Sequence, residues 1–77
     1  MLKTIDDHNM TQKIDWIFYG LGVFYFRHNE FDSASSAFLR VLQINLSHDG
    51  AYRHLSIICR EKGQREKAHY YIKKALK

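Results

Sequence analysis

The sequence predicts an all-α protein built as two antiparallel helix hairpins stacked on one another. Three observations predict it. Apolar residues recur at helical spacing along most of the chain, and strand alternation appears nowhere. The 77 residues include no proline and only four glycines, at positions 20, 22, 50 and 63, so long helices are permitted. The sequence also matches itself at one fixed offset, with Phe18 against Tyr52, Leu21 against Leu55, Ala34 against Ala68 and Leu42 against Leu76, the mark of a stacked repeat.

Each helix follows from its own spacing. Ile14, Phe18, Leu21, Gly22 and Tyr25 obey the i, i+3, i+4, i+7 rule of one core-facing side, and Thr11 has the chemistry of an N-cap. A first helix is therefore predicted over residues 12–28. Asn29 and Glu30 break the pattern, after which Phe31, Ala34, Phe38, Val41 and Leu42 share one face of a second helix ending near Ile44. Residues 45–49 read as a loop. Tyr52, Leu55, Ser56 and Cys59 lie together on a third helix that begins near Gly50, and Gly63 suits the left-handed residue that closes it. A fourth helix from Arg65 aligns Ala68, Ile72, Ala75 and Leu76. Connections of a few residues make each consecutive pair antiparallel.

The chain thus divides into an N-terminal segment, 1–14, a first repeat, 15–48, and a second, 49–77, which is shorter than the first. Residues 1–14 are expected either to fold back as a lid through Leu2, Ile5 and Met10 or to be disordered.

Composition narrows the function. A chain of this length makes one domain, and 45% apolar against 26% charged residues argues against disorder. The single Cys59 excludes an internal disulfide framework, and the scattered His and Cys provide no structural zinc site. No metal and no cofactor are expected. Such a core rarely supplies more than roughly 3–5 kcal/mol, so help from another chain is expected. The longest apolar run, Trp16 to Phe26, falls short of the roughly 18–20 residues of a membrane span, so no membrane insertion is expected. Asp6, Asp7 and Asp15 before the run, with Arg27 to Glu30 after it, do not fit a secretory signal. A cytoplasmic protein with a reduced thiol is expected.

Catalysis finds no support, because no Ser, His and acid form a nucleophile motif and Gly20 and Gly22 lack the preceding strand of a dinucleotide fingerprint. No catalytic residue is assigned. His8, His28, His48, His54 and His69 form no i, i+3 or i, i+4 pair and read as surface residues, while Cys59 falls at a core position. Charge is uneven. Residues 1–52 carry four Lys and Arg against six acids, and residues 53–77 carry eight against two. These bases spread over both faces of two helices, which reads as a solvated surface rather than a nucleic-acid site.

The repeat carries a recognisable pattern. Phe18, Leu21, Gly22, Tyr25, Ala34 and Phe38 in the first copy correspond to Tyr52, Leu55, Ser56, Cys59, Ala68 and Ile72 in the second. This resembles the tetratricopeptide repeat, in which small residues, here Gly22, Ala34, Ser56 and Ala68, let paired helices approach while large ones fill the gaps. The resemblance implies a concave groove lined by Trp16, Tyr19, Val23, Phe26 and Arg27, then by Arg53, Ile57, Arg60 and Glu61. Tyr19 and Val23 stand where members that clamp a chaperone C-terminus carry Lys and Asn, so a different ligand is implied.

Helix one is apolar around most of its circumference, with Trp16, Tyr19, Val23 and Phe26 on a second side and Ile17, Leu21 and Phe24 on a third. Something must cover it. The expected function is non-catalytic binding of a protein partner, an amphipathic helix or apolar segment, with Trp16, Tyr19, Val23 and Phe26 as anchors, Ile57 beside them, and Arg53 and Arg60 as electrostatic selectors. Ile17, Phe24, Tyr70 and Tyr71 form a second candidate interface, for a partner or for self-association. By size and repeat type the chain is similar to small helical co-chaperones of bacterial type III secretion, which shield a needle subunit or a fellow chaperone until export. A small adaptor, or an RNA-binding helical repeat, is the alternative.

Overall fold

The computed structural model describes residues 2–76, with side chains from Ile14 onward. The described residues form four helices and no strand: α1 (Leu2–Arg27), α2 (Phe31–Ile44), α3 (Asp49–Glu61) and α4 (Arg65–Leu76). α1 packs on α2 and α3 on α4, and α2 also packs on α3, so two hairpins stack through the middle of the molecule.

The two hairpin turns are built alike. Asn29 and Gly63, equivalent positions of the two repeats, both take the left-handed conformation, with φ of 61° and 79°. In the first turn the Glu30 amide donates to Tyr25 O at 2.9 Å; in the second the Gln64 amide donates to Cys59 O at 2.8 Å. Those bonds satisfy the last carbonyls of α1 and α3. The α2–α3 connection differs from both. Asn45 Oδ1 accepts from the Ser47 amide at 3.0 Å, His48 Nδ1 accepts from the Ala51 amide at 3.2 Å, and the Tyr52 hydroxyl donates to Leu46 O at 2.9 Å. His48 is consequently the N-cap of α3 and buried, not the surface residue that its spacing implied.

α1 is the element that departs from expectation. It begins at Leu2, well before the predicted start at Gln12, and Thr11 lies within it. A capping residue ends a helix only where the backbone leaves helical geometry, and no Gly or Pro interrupts residues 2–19. The side chains of Leu2, Ile5 and Met10, on which the lid was expected to rest, lie outside those described.

Small residues set the spacing of the hairpins. A Cβ added to Gly22 would stand 2.7 Å from the ring of Phe38, and one added to Gly50 would stand 2.9 Å from the ring of Tyr19. Ala34, Ser56 and Ala68 are buried at the matching contacts. The core that results joins Phe38, Val41 and Leu42 of α2 to Tyr52, Leu55 and Ile58 of α3, with Ala75 of α4 at its edge.

Candidate functional site

Successive helical residues point about 100° apart, so α1 presents three separate sides. Gly22 faces α2. Tyr19 and Phe26 turn toward the second hairpin, and with Val23 they are half-buried against the core. The Tyr19 hydroxyl lies 3.3 Å from His54 Nδ1, which lies 2.9 Å from Gly50 O and so carries its proton on that nitrogen. Phe26 meets the same imidazole edge-on with centroids 5.1 Å apart, and Phe38 stacks on it at 4.9 Å. Two of the four expected apolar anchors, Tyr19 and Phe26, therefore join α1 to the second hairpin. The remaining groove positions, Trp16 on α1 and Arg53, Ile57 and Arg60 on α3, are exposed. Trp16 stands edge-on to Tyr19 and to His48 at its base.

The third side of α1 is open. Ile14, Ile17, Leu21 and Phe24 are exposed at 41, 66, 41 and 54% of their surface. Their equivalents one repeat later, His48, Ala51, Leu55 and Ile58, are exposed at 6, 0, 2 and 1%. Ile14 and Leu21, read from spacing as core residues, are thus partly solvent-facing, because α2 flanks that side of α1 without closing over it. Beside the stripe runs a groove of about 570 Å³ between α1 and α2, lined by Phe18, Leu21 and Tyr25 and by Ala37, Leu39 and Arg40. The Arg40 guanidinium lies 5.4 Å from the centre of the Phe18 ring, a cation–π contact.

Ile17 and Phe24 belong to this open stripe, whereas Tyr70 and Tyr71 sit on the other hairpin. Tyr71 is half-buried and tilts against Tyr52 at 6.3 Å; Tyr70 is exposed, edge-on to Tyr71, with Lys74 Nζ 5.5 Å from its centre. The two tyrosines occupy the positions of Ser36 and Ala37, so large rings stand on the second hairpin where the first leaves a groove. Burial, then the neighbouring Cys59, Tyr70 and Tyr52, raises the Tyr71 phenol above its ordinary 10.0. At the far end of the molecule a smaller basic hollow of about 400 Å³ is lined by Arg60, Arg65, Ala68, His69 and Ile72.

One polar cluster lies beneath Trp16. Asn45 Nδ2 donates to Asp15 Oδ2 at 3.0 Å, and since His48 Nδ1 accepts from Ala51, its Nε2 holds the proton. Asp15 Oδ1 and His48 Nε2 have no partner among the described residues. No three His, Cys, Asp or Glu side chains among the described residues stand close enough to hold a metal, and Cys59 is a buried free thiol. No helix of the described residues is long and apolar enough to cross a membrane. What the arrangement offers is apolar contact area edged by guanidinium groups. Neither a protein-family model nor a curated protein sequence matches the chain.

Proposed function

We propose that the chain is a non-catalytic protein-binding module in which α1 covers an apolar helix or segment of a partner. The open stripe of α1 carries this reading. Ile14, Ile17, Leu21 and Phe24 follow one another at intervals of three, four and three, the spacing of a helix–helix seam, so the matching ligand is itself helical. Burying each such side chain fully is worth roughly 1.5–3 kcal/mol, a large share of the stability of so small a domain. Arg40, on the rim of the adjoining groove, favours an acidic residue on the ligand. Trp16 and Ile57, with Arg53 and Arg60, offer a second edge of the same chemistry on the side facing α3.

The narrower form of this reading is a tetratricopeptide-like co-chaperone of a type III secretion needle subunit, working in the cytoplasm. Its support is the internal repeat together with an uncovered helix suited to holding an aggregation-prone one. A photoreactive benzoylphenylalanine in place of Phe24, introduced in the native cell, should form an adduct with a protein, and Ile17→Glu should abolish that adduct. No adduct beyond that formed from the exposed Lys67 position would overturn the reading.

A further inference from the structure

We infer that the occupant of the open α1 stripe is a second copy of this chain, docked head to tail through its α3–α4 end. The inference rests on α1 being a docking face and identifies what fills it. Inside one molecule, Tyr19 and Phe26 of α1 and Phe38 and Leu42 of α2 pack toward α3, where the N-cap His48 and Ala51, Leu55 and Ile58 are buried. Both halves of that junction recur on the outside, one at each end. The α3 half recurs as Ile14, Ile17, Leu21 and Phe24. The α2 half recurs on α4, where Leu76 is 70% exposed while its equivalent Leu42 is 7% exposed.

Side-chain sizes at the two ends are matched. The hollow lined by Arg60, Arg65, Ala68, His69 and Ile72 corresponds, position for position, to Phe26, Phe31, Ala34, Ser35 and Phe38. In the internal junction Phe26 and Phe38 hold His54. The residue of α1 at the His54 position is Gly20, and a Cβ added there would meet nothing within 4 Å. Long basic side chains at one end thus face a missing side chain at the other. Trp16 and Phe24, one turn to either side of Gly20, are exposed rings able to accept a guanidinium.

Charge follows the same register. The internal junction is clasped by an ion pair between Lys62, in the turn after α3, and Asp32 in the first turn of α2. The equivalent positions in the other repeat are His28 and Glu66, both exposed, again a base after the first helix of a hairpin and an acid at the start of the second. Such a contact joins two different surfaces, so it leaves a free end on each side and continues past the dimer.

Sedimentation equilibrium of the purified chain over a concentration series tests this. The expected mass rises beyond two copies. Ile17→Glu disables one end and Leu76→Glu the other, at side chains exposed enough that far-ultraviolet circular dichroism should stay unchanged. Each variant alone should lose all self-association, and an equal mixture should form a one-to-one dimer that grows no further, because one intact end of each kind remains. A wild-type chain that stays monomeric, one that stops at two copies, or a mixture that stays monomeric overturns the inference. If the chain is monomeric and the Phe24 adduct contains a different protein, the head-to-tail occupant falls while the docking reading stands. If the chain is monomeric and no adduct forms, both fall.

Discussion

α1 and α3 carry the same pattern, one repeat apart, and meet opposite surroundings. Along α3 and its N-cap the stripe His48, Ala51, Leu55 and Ile58 is buried, because the first hairpin lies on it; on α1 the stripe Ile14, Ile17, Leu21 and Phe24 is exposed at 41–66%. The exposed stripe is the bulkier and more apolar of the two. Contact with water favours the reverse, so the composition of α1 fits a covered surface better than a free one. Burial is thus a property of the neighbour rather than of the periodicity.

The comparison is broken most sharply by matched truncations. Leu55→Ala should cost about 2–5 kcal/mol in chemical denaturation, while Leu21→Ala at the equivalent position of α1 should change the stability of the dilute chain by less than about 0.5 kcal/mol. Equal losses would mean that the α1 stripe is covered within one molecule. Two glycines of α1 give the next largest contrast. Gly22→Ala drives a methyl group into Phe38 and should destabilise by about 1–3 kcal/mol. Gly20→Ala meets open space and should raise the melting temperature, by about 0.5–1 kcal/mol of stability, since alanine favours the helix.

Smaller effects refine the picture. The Lys62–Asp32 pair is solvated at both ends, and a double-mutant cycle should return about 0.2–1 kcal/mol that diminishes in high salt. Tyr71 gives the smallest signal. Its phenol is raised in the folded chain, chiefly by burial, so the neutral form is favoured by folding. That contribution is complete below the unfolded pKa near 10.0 and is lost as pH rises through the higher folded value. Tyr71→Phe should accordingly flatten the alkaline limb of a stability-against-pH curve, and an unchanged limb would place its origin elsewhere.

Much of the fold was legible in the sequence because local signals agreed. α2 and α4 begin at the expected residues, and Asn29 and Gly63 take the left-handed turn that their matching positions implied. The start of α1 was not legible, since Thr11 has a capping side chain but no backbone break beside it. The site was legible in part. Trp16, Ile17, Ile57 and Phe24 are exposed, and periodicity tells which residues share a side but not whether that side is covered. Tyr19 and Phe26 are half-buried because of His54, on another hairpin, a contact no local pattern reveals. His48 is buried by a capping role for which Ser, Thr, Asp and Asn are the usual signals. The repeat register itself holds a signal for the open stripe, since Ile17 and Phe24 are bulkier than their counterparts Ala51 and Ile58.

The matched left-handed turns have a kinetic consequence. Each closes its hairpin between helices only a few residues apart, so the α1–α2 and α3–α4 contacts join segments adjacent in sequence, and the one extensive seam between hairpins joins consecutive helices. A chain of such low contact order should fold quickly, and either hairpin can nucleate it.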